Sequence, residues 1–177
     1  ASALLVSGEF FDVLGVQPAL GRLISRQDDV RGCMTQAVVL SHAFWQREFH
    51  GNPDILGQTI ALGRSSYAVV GVAAREFTGL DVGRRFDVAV PLCAEWLPPG
   101  SFSRLDSGVD WFLIVMGRLK PGWTRDGASE HLAAISPAVF KTSLPPNYPP
   151  ENVGQYLAYR LTAIDGSRGI SILREQY

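Results

Sequence analysis

Hydrophobic and polar positions between residues 36 and 72 predict one compact packing unit. The wholly apolar run Ala37–Leu40 predicts a buried strand. Ser41 follows this run, and its hydroxyl can cap a short helix over residues 42–50 that carries several aromatic side chains. Gly51 is placed to end that helix in a left-handed conformation. The next residues predict a hairpin with a turn through 63–65, because the strand after the turn is rich in β-branched residues.

The same patterns predict further elements on both sides of this unit. Residues 16–24 and 27–35 are rich in Pro, Gly or polar residues and predict an irregular segment and a solvated loop. The remaining elements predicted for the N-terminal part are a strand over Ala3–Val6, a helix over 8–14 capped by Ser7 and ended by Gly15, hairpin strands over 59–62 and 67–72, and a strand over 86–92 that Pro91 closes or places at an edge.

The last third of the chain predicts a strand–helix–strand unit. The apolar run within 110–119 predicts a strand, and Thr124 can cap the helix that follows it. Pro137 should kink this helix or stop it early, because proline has no main-chain N–H to donate. Alternation over 156–164 predicts a second strand, parallel to the first, with the helix as a right-handed crossover.

A long connection over 95–109, rich in Pro and Gly, separates these two parts. Long ordered connections are often functional or mark a boundary. We therefore predict an α+β fold with two lobes. The boundary gives one lobe over 1–109 and a second over 110–177, which contains the β-α-β unit.

Composition narrows the class of protein. Apolar residues make up 46% of the 177 residues, which is enough for a buried core. The 16 Lys and Arg against 17 Asp and Glu give a formal net charge of -1, and no basic stripe is present, so nucleic acid is not an expected partner. No apolar run approaches the roughly 20 residues that cross a bilayer, and no signal-peptide pattern opens the chain.

No constellation of residues predicts catalysis. The three histidines are scattered, and His131 follows Glu130 without the spacing that would place two imidazoles on one helix face. The two cysteines make no zinc motif, and no glycine-rich phosphate loop follows a strand. We therefore expect a non-enzymatic protein without a metal or cofactor.

Cys33 and Cys93 allow two interpretations. In an oxidising compartment they could pair, which would stabilise the fold by about 2–4 kcal/mol. Alternatively they are two unrelated thiols. We favour the second interpretation, because two cysteines do not make a disulfide framework.

Four blocks of sequence, in order, resemble one family. They are VSGEFFDVLGVQPALGR, VVLSHAFWQREFHGNPDILGQTIALGRSSYAVVGV, DVAVPL and GRLKPGWT, and together they extend over most of the chain. They are similar to the MacB-like periplasmic core domain of FtsX-type ABC transporter permeases. The blocks LGVQPALGR and GRLKPG look most like the orphan-permease subgroup, whose members lack a fused ATPase.

The resemblance implies a non-catalytic periplasmic domain held between transmembrane helices of the same full-length chain in the inner membrane. It implies a separate ATPase subunit, engagement of a partner or substrate, and relay of conformational change across the membrane. A periplasmic adaptor or a homodimer is a further implied partner. In the family's two-lobed architecture, residues 1–109 correspond to a smaller mixed α/β lobe, and residues 110–177 correspond to the C-terminal half of a porter-like lobe that leads toward a transmembrane helix. We expect the other half to precede Ala1.

Three residues are candidates for partner contact. Arg84 and Arg85 end an exposed, glycine-containing excursion, although a simple solvated loop would look the same. Trp96 lies in the long connection, and it also motivates an alternative function, a free-standing periplasmic module that binds a small ligand. Arg22 we interpret as a structural arginine that pins its loop to a carbonyl or to an acid such as Asp28 or Asp29.

Overall fold

A computed structural model of the protein describes residues 1–32, 36–95 and 103–170. These residues form a mixed α/β structure with one six-stranded sheet and four α-helices, which confirms the predicted fold class. The chain divides into two compact units. The first contains Ala1–Trp96 and Gly169–Tyr177, and the second contains Leu97–Arg168. The division into family lobes at 109/110 stays a prediction.

The first unit holds the whole sheet. Its elements are β1 (Ala3–Val6), α1 (Phe10–Leu14), β2 (Pro18–Gly21), β3 (Ala37–Leu40), α2 (His42–Phe49), β4 (Thr59–Leu62), β5 (Ser65–Ala73) and β6 (Val88–Pro91). The strand order is β1-β6-β3-β5-β2, and β4 also pairs with β5. The pairs β1–β6 and β3–β5 are parallel, and the other pairs are antiparallel.

The core lies on both faces of this sheet because adjacent strand residues point to opposite faces. Val38 and Leu40 belong to a cluster that packs against the aromatic side of α2. Val39 belongs to the opposite cluster, with Phe11 of α1. All three β3 side chains are fully buried, which confirms the predicted central strand.

Both predicted ends of α2 are confirmed, and the C-terminal end is shifted by one residue. The Phe44 N–H donates to Ser41 Oγ at 3.1 Å. The helix ends at Phe49, one residue earlier than predicted, because His50 already adopts a left-handed conformation at φ 52° before Gly51 does so at 69°. The indole N–H of Trp45 holds this turn by donating to the carbonyl of Asn52 at 2.9 Å.

Three predictions near the N-terminus need correction. Helix α1 begins at Phe10, and Ser7 contributes its main-chain carbonyl to the Phe10 N–H, at 3.0 Å, and no side-chain cap. The segment 16–24 is not irregular throughout, because Pro18–Gly21 forms β2 at the sheet edge, where a proline is tolerated. The loop 27–35 is not wholly solvated, because Asp28 is buried.

The second unit is built on α3 (Arg125–Ser143), followed by α4 (Val153–Ala158). Thr124 caps α3 as predicted, with its Oγ1 accepting from the Gly127 N–H at 3.1 Å. The helix continues through Pro137 to Ser143, so the early stop is wrong, and the alternative of a kink stays a prediction.

The two strands predicted for this unit are also wrong. Residues 156–158 belong to α4, and in the part of the chain that the structure describes neither 110–119 nor 159–164 forms a strand. Instead, main-chain N–H groups of the later segment donate to serine hydroxyls of α3. Ser136 Oγ accepts from the Leu161 N–H at 2.8 Å, and Ser129 Oγ accepts from the Ala163 N–H at 3.0 Å. The earlier segment stays apolar and open, with Val115 91% exposed.

Candidate functional site: an arginine-lined cavity in the first unit

The candidate site lies where β1 and β6 begin, at the same end of the sheet. Because the two strands are parallel, Ala3 stands opposite Val88. The Ser2 carbonyl accepts from the main-chain N–H groups of Asp87, at 2.8 Å, and Val88, at 3.2 Å. The connection from β5 to β6, residues 74–87, leads directly into this end of the sheet.

Two aromatic residues anchor that connection to the core. Phe86 is buried, and its ring centroid lies 5.5 Å from that of Phe77. Phe77 in turn lies 5.8 Å from Phe11 of α1 and 6.1 Å from Phe10. The connection is therefore fixed at both ends by ring contacts, although its middle is exposed.

A second contact orders the middle of the connection. The Ile170 N–H donates to the Leu80 carbonyl at 2.8 Å, and the Val82 N–H donates to the Ile170 carbonyl at 2.9 Å. Gly169 makes this approach feasible. Its φ is +78°, and a Cβ there would lie only 2.5 Å from the Leu80 carbonyl oxygen, so no other residue fits without displacement.

The start of β1 and the connection from β5 to β6 line an open pocket of about 230 Å³, which we call the arginine cavity. Its walls combine apolar side chains with two guanidinium groups. The lining residues are Ser2, Ala3, Leu4, Gly79, Leu80, Asp81, Arg84, Arg85 and Phe86.

The arginine cavity carries unneutralised positive charge. Arg84 and Arg85 are exposed, and neither guanidinium makes a hydrogen bond or ion pair with any residue in the described ranges. Asp81 also lines the cavity, and its carboxylate pairs with neither arginine. The two arginines therefore outnumber the one acid there.

The neighbouring Asp87 does not neutralise the arginines because it is already engaged. Its carboxylate accepts from the Ser2 N–H at 2.8 Å and from Arg47 at 3.0 Å. Burial raises the pKa of Asp87, but these hydrogen bonds and the nearby positive charge outweigh it, and the pKa lies below its ordinary value. Asp87 thus stays ionised and bound to other groups at neutral pH.

Chemically, the arginine cavity can hold an anion next to an apolar group. Guanidinium groups bind carboxylate or phosphate through directed, charge-assisted hydrogen bonds. The volume is below the roughly 300–1,000 Å³ of sites that hold whole small ligands, so it suits a side chain or a head group. Among the described residues, no group of three or more His, Cys, Asp or Glu is arranged to hold a metal ion.

The structure describes two of the three residues predicted to contact a partner. The structure brings Arg84 and Arg85 together at the cavity, and their role in contacting a partner stays a prediction. Trp96 lies outside the described residues. Sequence reasoning missed Leu80 and Phe86, because only the distant pairing of β1 with β6 turns their segment into a cavity wall.

The interpretation of Arg22 as a structural residue is confirmed. Its guanidinium binds Asp28 through two hydrogen bonds of 2.6 and 2.8 Å. Asp28 also accepts from the main-chain N–H and the hydroxyl of Ser25, at 2.9 and 3.0 Å. Burial raises the pKa of Asp28, but the bonds from Arg22 and Ser25 lower it further, to below the ordinary value.

The interpretation of the cysteines as unrelated thiols is wrong for Cys93, which is disulfide-bonded. Cys33, the other cysteine of the chain, lies outside the described residues. The main-chain N–H of Cys93 donates to Asp29 at 2.9 Å, and Asp29 also accepts from the Gly8 N–H at 3.1 Å. The loop predicted to be solvated therefore holds β6 and α1 together.

Comparison with solved structures defines the class of fold. A crystallised domain assigned to a permease protein from Porphyromonas gingivalis matches 98% of this chain and 70% of its own chain, at 18% identity and a TM-score of 0.52. The periplasmic region of MacB from Actinobacillus actinomycetemcomitans matches 51% of this chain and 37% of its own, at 23% identity and a TM-score of 0.40. The first of these shows a shared mixed α/β fold.

Sequence comparison then identifies the family. The model of the MacB-like periplasmic core domain matches residues 1–135, and the chain belongs to this family. Macrolide export ATP-binding/permease proteins MacB 1 of Yersinia pestis and of Yersinia pseudotuberculosis are each 28% identical over 135 residues. These residues are 76% of this chain, which spans 19% of the length of those relatives. No helix in the described ranges has the length and apolar character needed to cross a membrane.

Proposed function

We propose that this chain serves as the non-catalytic extracytoplasmic domain of an ABC-type permease in the inner membrane, facing the periplasm. The observation that carries the proposal is the family match over residues 1–135. The domain works without a cofactor, and its function lies in the surfaces that it offers and in its movement.

The proposal includes a larger assembly. The chain is joined to transmembrane helices of the same full-length protein, and a separate subunit hydrolyses ATP. The relatives named as ATP-binding/permease proteins support a permease and ATPase context, and this chain spans only 19% of their length. Their name joins both functions in one protein, so we propose the separate subunit on the resemblance to the orphan-permease subgroup alone. Macrolide export is what those relatives are named for.

Within that assembly, the domain engages a partner or substrate and relays conformational change across the membrane. Two surfaces support contact with a partner or substrate. One is the arginine cavity, with its free guanidinium groups. The other is the open apolar segment of the second unit, where Trp111 and Ile114 are each 67% exposed and Val115 is 91% exposed. Contiguous apolar surface of this kind is typical of contact sites, and a periplasmic adaptor or a second copy of the domain is the proposed occupant.

The first test is made on the full-length gene product that contains this chain. After alkaline extraction of membranes, an integral protein stays in the pellet, and we expect this result. Release into the supernatant would contradict the permease proposal and favour the alternative, a free-standing periplasmic module that binds a small ligand.

The relay is tested separately in inner-membrane vesicles. Cysteines introduced at exposed positions of both units are labelled with a maleimide during ATP hydrolysis and with a hydrolysis-deficient ATPase subunit. We expect labelling rates to differ between the two conditions. Equal labelling rates at every position would contradict the relay of conformational change but not the membrane location.

A further inference from the structure

The two edges of the sheet differ in their protection against a further strand. Natural sheet edges are commonly blunted by proline, charge or a bulge. At one edge, β2 and β4 both pair with β5, and β2 opens with Pro18 and shifts its register against β5. At the other edge, β1 has the sequence Ala-Leu-Leu-Val, keeps a regular register with β6, and has no other strand partner among the described residues. Residues Ala3–Val6 of β1 therefore carry none of these protections.

The main-chain groups of β1 alternate between β6 and the outside. The Ser2 carbonyl points to β6, since it accepts from the Asp87 and Val88 N–H groups. In a strand the next residue directs its N–H and C=O the opposite way. Ala3 and Leu5 therefore present their main-chain groups to the outside, where an added strand would bind them.

The arginine cavity lies at the beginning of this same edge. Ser2, Ala3 and Leu4 line it together with Arg84 and Arg85. A peptide that extends along β1 would pass the two free guanidinium groups, which attract carboxylates. Next to them, Leu80 and Phe86 offer apolar walls for a neighbouring aliphatic side chain.

We propose that β1 and the arginine cavity form a docking site for an extended acidic segment of a partner protein. The segment adds to the sheet as a strand beside β1 and places a carboxylate side chain on Arg84 and Arg85. Main-chain hydrogen bonds supply affinity in this mode, and the side-chain pocket supplies specificity. The proposal rests on the proposed partner engagement and names the chemistry of the partner.

The test uses the chain itself and a labelled peptide. A Val- and Thr-rich peptide with a central Glu-Leu-Glu is titrated by fluorescence anisotropy, beside the same peptide with Gln-Leu-Gln. The protein variants are R84Q/R85Q and, as a matched control, R64Q, which removes an exposed arginine outside the cavity. A third peptide keeps the glutamates, but all its main-chain amides are N-methylated, which removes the main-chain donors.

We expect the acidic peptide to bind, and the neutral peptide and the R84Q/R85Q variant each to weaken binding by about tenfold. R64Q should bind as the unmodified chain does, and the N-methylated peptide should fail to bind. Equal binding of the acidic and neutral peptides, or full binding of the N-methylated peptide, would overturn the proposal. Vesicles of phosphatidylglycerol that bind through Arg84 and Arg85 while the peptide does not would assign the arginines to lipid instead. Loss of peptide binding with the full-length protein still in the membrane pellet would refute the docking site alone.

Discussion

The buried carboxylate of Asp28 provides a sharp test of how the first unit is stabilised. We consider Asp28→Asn, which keeps the side-chain volume but removes the charge. In the structure the carboxylate binds Arg22 twice and Ser25 twice, at distances between 2.6 and 3.0 Å. Asparagine can retain one acceptor oxygen, but its amide group faces the arginine.

The expected cost follows from the exposure of each partner. The Arg22 side chain is 52% exposed, so it can turn to water, and its share is about 0.5–1 kcal/mol. The bonds from Ser25 are made to a buried charge, and weakening them costs about 1–2 kcal/mol. We therefore expect Asp28→Asn to lower the free energy of unfolding by about 2 kcal/mol at neutral pH.

The pH dependence gives a second, independent readout. The pKa of Asp28 in the folded protein lies below its ordinary value. The unfolded state therefore binds the proton first, and the stability supplied by Asp28 is complete above about pH 4. It is lost as the pH falls through the folded pKa. The variant lacks this contribution, so its unfolding free energy should fall less steeply in acid.

Urea unfolding followed by tryptophan fluorescence, at about pH 7 and about pH 3, measures both effects. Asp54→Asn is the matched control, because this side chain is exposed and its carboxylate has no partner among the described residues. It should change the free energy of unfolding by less than about 0.5 kcal/mol. An Asp28→Asn protein as stable as the unmodified chain at neutral pH, or a difference that does not shrink in acid, would refute the reasoning.

Three further predictions concern the core, the second unit and the disulfide. Leu40→Ala, at a fully buried site, should lower the free energy of unfolding by about 3 kcal/mol in a denaturant titration. Leu113→Ala, at a site 55% exposed, should lower it by less than about 0.5 kcal/mol. Similar costs for the two variants would contradict the assigned burial. Ser136→Ala leaves the Leu161 N–H without its acceptor, so hydrogen exchange at that amide should accelerate about tenfold, and unchanged exchange would show that the bond is absent. Cys93→Ser should lower the melting temperature, and reductant should lower that of the unmodified chain but not that of the variant; an equal effect of reductant on both would exclude a stabilising disulfide.

Local signals in the sequence were sufficient for the elements that depend on near neighbours. The hydroxyls of Ser41 and Thr124 cap their helices as predicted, because an N-cap bond reaches only three residues along the chain. The hairpin of β4 and β5 forms for the same reason, and the short-range pair of Arg22 with Asp28 was also anticipated. Such features need no knowledge of the rest of the fold.

Features that depend on distant partners were not predictable. Residues 110–119 have the composition of a strand, but a strand needs a hydrogen-bonded neighbour, and none stands beside this segment in the described ranges. Residues 156–158 are helical, although alternation over 156–164 predicted a strand there. The arginine cavity escaped prediction because its walls come from segments about 80 residues apart, and periodicity carries no information on which strands become neighbours.

The pairing of β1 with β6 also bears on how the chain folds. Contacts between residues 3–6 and 88–91 join two segments about 80 residues apart. Closing that long loop therefore carries a large cost in chain entropy during folding. During synthesis, β1 leaves the ribosome long before its only described partner strand exists. The same apolar strand that ends as a sheet edge therefore waits unpaired while the rest of the sheet is made.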